Sequence, residues 1–214
     1  MSGAATPSLE RAPRAPVSPA ACGALVLLLG LGVGVATSLL QARLGTPWAG
    51  LANAASPWIT PAFVAGTLWR RPSTAALAGL AACLLELVGY YATTDARGYP
   101  VSHSELVFWG VCAVVGGPIF GAAGWAWWRG PYRLRGLGAA LLAAAFGAEA
   151  LVSYGWRLHY TSTAILFAAI GVGAALLLGI HRREHLRVAL WLLAALPAGI
   201  VAEVVLGLVY RQSF

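Results

Sequence analysis

The sequence contains no lysine, and aspartate occurs once, at Asp95. All fourteen basic residues are therefore arginine. The absence of lysine excludes chemistry that needs a lysine Schiff base, including the attachment of retinal to a seven-helix protein. A single aspartate leaves no aspartate-rich motif for a complex of Mg²⁺ with a diphosphate, which argues against a prenyl-diphosphate transferase.

Charged residues of both signs are scarce. They make up 10% of the 214 residues and hydrophobic residues make up 59%, whereas a soluble domain has about 25% charged residues. Repeated apolar runs of about 20 residues suit a hydrocarbon core about 30 Å thick. We therefore predict one membrane domain over residues 20–211, preceded by a disordered cytoplasmic tail over residues 1–19. Membrane topology accounts for the net charge of +7, so we predict no nucleic-acid partner.

Motifs for metal, redox or nucleophilic chemistry are also missing. The three cysteines lie in apolar runs without CxxC spacing, which predicts free thiols. The segment His181–His185 matches the H-x-x-E-H pattern of some zinc peptidases, but the next acid, Glu203, lies about 27 Å further along a helix. Neither a GxSxG elbow nor a Walker A loop is present. We therefore predict no metal site and no cofactor.

The apolar segments predict an all-α bundle of seven transmembrane helices, arranged as one leading helix plus three hairpins of the same orientation. Each hairpin has an arginine-rich corner followed by an apolar helix with one glutamate near its far end, namely Glu86, Glu149 or Glu203. The predicted helices are Ala20–Leu40, Pro57–Trp69, Ser73–Ala92, Glu105–Trp128, Gly136–Trp156, Thr163–Ile180 and Val188–Tyr210.

The second of these helices, Pro57–Trp69, would be only about 20 Å long, too short to span a membrane alone. One interpretation is that Trp48–Asn53 continues it through a kink. The other is that irregular chain precedes a broken helix and lines a cavity, as broken helices at membrane depth often do. Asn53 and Ser56 are the predicted caps of the helix.

The arginines are distributed unevenly between the two sides of the predicted bundle. Ten fall in the tail and in the three corners, which contain Arg70–Arg71, Arg129–Arg135 and Arg182–Arg187, and four fall in the opposite loops. Cytoplasmic loops of membrane proteins carry the excess of arginine. We therefore predict a multi-pass protein of the cell membrane, with a cytoplasmic N-terminus and an outside C-terminus.

The three glutamates are expected at one level, about 20–22 Å from the inner ends of their helices. A charged side chain at the bilayer centre costs about 2.5–3.5 kcal/mol on insertion scales, so these acids should face the bundle interior. The nearest hydroxyl groups are those of Tyr90, one turn after Glu86, and of Ser153, one turn after Glu149. No arginine lies at this level, which favours neutral carboxyl groups.

These acids and the aromatic residues near them predict an outward-opening cavity that binds a cationic or aromatic solute, or a proton. The alternative is that the glutamates are hydrogen-bonded between helices while the aromatic residues form an interfacial belt. The predicted ligand-binding residues are Glu86, Tyr90, Tyr91, Glu149, Tyr154, Trp156, His159 and Glu203.

Four segments carry a resemblance to a known family: NAASPW from Asn53, LAGLAACLLELVGYY from Leu77, GGPIFGAAGWAWWR from Gly116 and GAEALVSYG from Gly147. Together they resemble an uncharacterised family of small actinobacterial multi-pass membrane proteins with no assigned activity. The resemblance implies a topology and two recurring Glu-to-Tyr segments, and it carries over no catalytic residue.

For function we predict a small-solute binding or transport component. In architecture it is similar to the substrate-capturing subunits of vitamin importers, which is an analogy of fold alone. The alternatives are an intramembrane enzyme that acts on an isoprenoid or lipid with a glutamate as general acid, and a structural or regulatory subunit without a ligand. The predicted partners are membrane lipid, a cationic, aromatic or isoprenoid small molecule, and another protein. Whether the protein is an enzyme stays open at this point.

Overall fold

The computed structural model describes residues 18–213, which are helical with short connections and contain no strand. The predicted tail lies outside the described residues, except for Ser18 and Pro19. The long helices are α1 Pro19–Gln41, α2 Ala55–Thr67, α3 Pro72–Ala96, α4 His103–Arg129, α5 Leu137–Glu149, α6 Thr161–Arg182 and α7 His185–Ser213. Short 3₁₀ turns occupy Trp48–Ala52 and Tyr132–Leu134, and α5 continues as a π-helical segment over Ala150–Arg157. The all-α prediction is confirmed for this part of the chain.

Six helical segments are long and apolar enough to cross a membrane, with mean hydropathy between 1.6 and 2.4. They are α1, α3, α4, α5 with its π-helical extension, α6 and α7. Large apolar side chains cover their outer surfaces; Leu28 and Leu193, for example, are 71% and 75% exposed. Such a surface is stable in hydrocarbon and not in water, which supports a membrane protein. With 13 residues, α2 is shorter than these segments.

The helices form two adjoining groups around α3 and α5. The helix α3 packs against α1, α2 and α4, while α5 packs against α4, α6 and α7. The arginine-rich corners lie together at one end of the bundle, which we call the arginine end. There Trp125 Nε1 donates to Arg70 O at 2.9 Å, and Arg187 Nη1 donates to Tyr132 O at 3.0 Å. Because α6 and α7 both pack more closely on α5 than on each other, three equivalent hairpins stay a prediction.

Glycines let α3 and α4 approach each other at backbone distance, as small residues commonly do between membrane helices. A Cβ atom on Gly117 would lie 2.8 Å from Leu80 Cα and 2.9 Å from Gly79 O, so there is no room for it. The neighbouring Gly116 faces differently, and a Cβ atom there would meet only Ile59 Cγ2, at an ordinary 3.6 Å.

We expect Gly117→Ala to cost about 1–3 kcal/mol because the added methyl group forces two backbones apart. Gly116→Ala is the matched control and should be neutral or slightly stabilising, since alanine favours helix by up to about 1 kcal/mol over glycine. Thermal unfolding of the detergent-purified variants measures both effects. Equal melting temperatures for the two variants would contradict the close approach of these helices.

Candidate functional site

A cavity of about 280 Å³ lies at the end of the bundle opposite the arginine end. It forms where α1, α3 and α7 end and where α2 and α4 begin. Its lining consists of Gln41, Ala52, Asn53, Ala54, Trp58, Tyr90, Tyr91, Glu105, Trp109 and Tyr210. Half of these residues are aromatic, and Glu105 is the only acid or arginine among them.

The five aromatic rings contact one another in sequence around the cavity. Ring centroids are 5.1 Å apart for Tyr91 and Tyr90, and 5.3 Å apart for Tyr90 and Trp58. They are 6.3 Å apart for Trp58 and Trp109, and 6.5 Å apart for Trp109 and Tyr210. Most of these pairs are tilted or edge-to-face, which gives a wall of π faces and edges. We call these five residues the aromatic wall.

Glu105 supplies the negative charge of the cavity. It lies in the first turn of α4, where the helix dipole favours a carboxylate, and its backbone N–H donates to Ser102 Oγ at 3.3 Å. Tyr210 Oη donates to Glu105 Oε1 at 3.4 Å. The one salt bridge among the described residues joins Arg135 to Glu184 at the arginine end. The charge of Glu105 is therefore not neutralised by an arginine and is available to a ligand.

A short chain of hydrogen bonds fixes the rim of the cavity. Tyr90 Oη donates to Gln41 Oε1 at 2.5 Å, and Gln41 Nε2 donates to Asn53 Oδ1 at 2.6 Å. Asn53 Nδ2 in turn donates to Ala49 O at 2.8 Å. The hydroxyl of Tyr90, the nearest candidate partner of Glu86 in the sequence, is thus directed to the rim and does not bond to Glu86.

The helix α2 begins inside the bundle, where Glu149 of α5 caps it. The backbone N–H groups of Ala55 and Ser56 each donate to the Glu149 carboxylate at 2.9 Å, and Ser56 Oγ donates to it at 2.5 Å. Pro57 follows and has no N–H group, so the first turn keeps few unsatisfied donors. A carboxylate is also the group that the positive end of a helix dipole stabilises.

This arrangement decides between the two interpretations of the segment before α2. A 3₁₀ turn over Trp48–Ala52 is separated from α2 by Asn53 and Ala54, and Ala52–Ala54 line the cavity. Irregular chain therefore precedes a broken helix. Neither predicted cap holds the helix start by itself, because Asn53 bonds to Gln41 and Ala49 while Ser56 donates to Glu149.

Glu203 and Tyr154 lie near Glu149 but do not contact the first turn of α2 by hydrogen bonds. Ser153 Oγ, the nearest candidate partner of Glu149 in the sequence, donates to Glu203 Oε1 instead. The segment becomes π-helical at Ala150, and its wider turn changes the direction in which Ser153 points. Tyr154 Oη donates to Gly50 O at 3.4 Å, and its ring packs on Phe167 at 4.8 Å.

Glu86 differs from the other two membrane glutamates. It is 0% exposed, and neither of its carboxyl oxygens has a hydrogen-bond partner among the described residues. It precedes Tyr90 by one turn of α3, and the nearby Cys83 Sγ lies 3.9 Å from Trp58 O. The backbone of α1 covers it at Gly34, where a Cβ atom would collide with Glu86 O. Glu86 therefore lies beneath the cavity, enclosed by α3 and its neighbours.

None of the three glutamates lines the cavity, and their common level stays a prediction. Along their helices Glu86 is about 21 Å, Glu149 about 18 Å and Glu203 about 27 Å from the inner ends. The larger value arises because α7 begins at His185, three residues before the predicted start. Glu149 and Glu203 lie close enough to interact electrostatically, whereas Glu86 interacts with Cys83.

The eight predicted ligand-binding residues therefore occupy different surroundings. Tyr90 and Tyr91 line the cavity, while Trp156 is 67% exposed and His159 is exposed in a left-handed conformation. Of the remaining four, Glu86 lies beneath the cavity and Glu149 lies at the start of α2. Tyr154 bonds to Gly50 before α2, and Glu203 bonds to Ser153. A ligand-binding role for these eight residues stays a prediction.

The sequence did not identify eight of the ten lining residues as ligand-binding, and four of the eight are aromatic or acidic: Trp58, Glu105, Trp109 and Tyr210. A signal for two of them was present, because Ser102-x-x-Glu105 is a capping sequence and Trp109 follows Glu105 by one helical turn. Together these features place an acid and an aromatic ring on one face at the start of a helix.

Comparisons with known proteins assign the chain to a family but do not assign an activity to it. No curated protein and no solved structure matches the chain. One family of sequences does match, over residues 13–211, which include nearly all of the described helices. Its description is a family of unknown function, and the resemblance found in the sequence agrees with that description. The chain belongs to this family of unknown function, DUF6518.

Proposed function

We propose that the protein binds a small organic cation in the aromatic cavity and acts as a solute-binding or transport component of the cell membrane. One observation carries the proposal: five contacting aromatic rings surround the cavity, and the single carboxylate lining it has no arginine partner among residues 18–213. Aromatic faces attract cations through their quadrupole, and a carboxylate adds a full opposite charge.

The chemistry of the wall favours an organic cation over other ligands. A cation over an aromatic face gains about 0.5–2 kcal/mol per contact, the larger values applying away from water. An inorganic ion would require a set of oxygen ligands, and the cavity offers only Glu105 with the amides of Gln41 and Asn53. The volume of about 280 Å³ is near the lower end for small-molecule pockets, which suits a compact ammonium head group.

We also propose that α2 is the seventh membrane crossing, shortened by its broken start. In support, its first residues lie at Glu149, whereas Thr67 O near its other end accepts a hydrogen bond from Arg129 at the arginine end. Broken helices often provide substrate sites in transporters, because their ends and the adjoining irregular chain can face a ligand. The arginine excess supports a cytoplasmic arginine end and an outward-facing cavity.

Native mass spectrometry of the protein purified in mild detergent tests the proposal. We expect a small cationic molecule to remain bound to the wild type, and Trp109→Ala to lose it because the wall is opened between Trp58 and Tyr210. Trp128→Ala is the matched control, since that side chain lies at the arginine end of α4, away from the cavity, and it should retain the ligand. Retention of the same adduct by Trp109→Ala, or an adduct that is always neutral, would contradict cation binding.

A further inference from the structure

We infer that Glu86 is a proton-binding site and that a cation entering the aromatic cavity displaces its proton, so that the protein exchanges a proton for an organic cation. The inference rests on the proposed cation binding. It adds a second site, beneath the cavity, and a second bound species.

The first support is that Glu86 has no structural task in the described part of the chain. Glu149 accepts three hydrogen bonds and caps α2, and Glu203 accepts one from Ser153. Glu86 is fully buried, and both carboxyl oxygens are without a partner. An acid within a membrane segment is costly, and such residues commonly mark proton or ion pathways.

The second support is that, in the described part of the chain, no arginine or histidine lies close to Glu86. Across the helices that pack against α3, α1 contributes only the Cys22 thiol and α2 contributes no titratable group. The titratable and charged groups of the other two helices are Cys83, Tyr90, Tyr91 and Asp95 on α3, and His103, Glu105, Cys112 and Arg129 on α4. Arg97 follows α3, eleven residues or about 16 Å along the chain axis beyond Glu86, and donates to Ser38 O of α1. Arg129 ends α4 at the arginine end and donates to Thr67 O. A carboxyl group in such surroundings retains its proton while the cavity is empty.

The third support is the position of Glu86 relative to the cavity. It lies one helical turn, about 6 Å along the axis, from Tyr90 of the aromatic wall. The rings of Tyr90 and Trp58 have centroids 5.3 Å apart, Trp58 O lies 3.9 Å from Cys83 Sγ, and Cys83 interacts electrostatically with Glu86. A cation held by the wall therefore acts on Glu86 across a short distance and through apolar protein, where electrostatic attraction is strong.

The exchange balances in charge and atoms. The O–H bond of the Glu86 carboxyl group breaks, the proton is released to solvent, and the positive charge of the bound cation replaces it. The protein then has one more negative charge and one bound cation. Because one proton leaves for each cation bound, the affinity for the cation should rise about tenfold per pH unit. This holds over the pH range in which the empty protein is protonated at Glu86 and the complex is not.

Calorimetric titration of the full chain with choline, in two buffers of different ionisation enthalpy at one pH, counts the protons released. For the wild type we expect about one proton released per choline bound. Glu86→Gln keeps the shape of the protonated side chain, so it should still bind choline but release no proton. Its affinity should also be independent of pH, whereas that of the wild type should rise about tenfold per pH unit.

The outcomes separate the two proposals. Binding to the wild type without proton release, or a release that persists in Glu86→Gln, overturns the role of Glu86 and leaves cation binding intact. Persistent release would identify another source, with Glu105 of the cavity the first to examine. Absence of any binding heat for the wild type overturns cation binding and with it the exchange. If Glu86→Gln does not fold, Glu86→Met, which fills a similar volume without an ionisable group, takes its place and should likewise bind choline without releasing a proton.

Discussion

Replacing Glu149 with alanine is expected to destabilise the protein by about 3–5 kcal/mol, a large part of the stability of an ordinary domain. The substitution leaves the N–H groups of Ala55 and Ser56 and the hydroxyl group of Ser56 without their acceptor. Each buried donor without a partner costs about 1–3 kcal/mol. The melting temperature of the purified protein should fall by about 10 °C.

Two control variants separate the cap from general effects of changing a buried acid. Ser56→Ala removes one of the three donors and leaves the backbone cap in place, so it should cost only about 1 kcal/mol. Glu203→Ala removes an acid that accepts a single hydrogen bond from Ser153 and should cost less than Glu149→Ala. If all three variants have the same melting temperature, Glu149 does not hold the start of α2.

The second large effect concerns affinity rather than stability. We expect Glu105→Gln to weaken binding of tetraethylammonium by about 10- to 100-fold, because it removes the negative charge but keeps the shape of the side chain. The fluorescence of Trp58 and Trp109 in the aromatic wall reports binding directly during a titration. The helix cap survives, since Ser102 accepts from the backbone of Glu105.

Asp95→Asn is the matched control for this variant. Asp95 is exposed near the same end of α3 and does not line the cavity, so its replacement changes the net charge equally without changing the site. We expect its affinity to stay within about twofold of the wild type, as screening by salt weakens the effect of exposed charges. Equal losses in the two variants would mean that Glu105 acts only through net charge.

The helices could be predicted from the sequence because the membrane imposes strong local constraints. Apolar runs bounded by arginine corners set the ends of the long helices to within a few residues, and Pro57–Trp69 was recognised as too short to span. The start of α2 was harder to predict from the sequence. Its cap comes from Glu149, which is distant in sequence, whereas local rules consider only neighbouring residues such as Asn53 and Ser56.

The site could be predicted only in part, because burial of an acid does not say what the acid contacts. The expectation that Glu86, Glu149 and Glu203 share a cavity assumed that acids at similar depth meet. Helix packing instead gives each glutamate its own partner. Glu149 of α5 meets the start of α2, and Glu203 of α7 meets Ser153. Glu105 escaped notice since an acid in the first turn of a helix is ordinarily explained by the helix dipole.

The aromatic residues of the wall illustrate the same difficulty. Aromatic residues near helix ends are typical of the membrane interface, so Trp58, Trp109 and Tyr210 carry little information singly. They become a site only because α2, α4 and α7 bring their rings together around one carboxylate. That convergence is a property of tertiary packing and has no signature in the spacing of residues.

The most direct measurement compares choline with 3,3-dimethylbutan-1-ol, which has the same shape but carries a carbon atom in place of the charged nitrogen. Both are titrated against the wild-type protein while tryptophan fluorescence is followed. Cation binding by the aromatic wall and Glu105 predicts that choline binds at least about tenfold more tightly, since its charge contributes more than 1.4 kcal/mol. Equal affinity for the two compounds, or binding of the neutral one alone, would contradict the account.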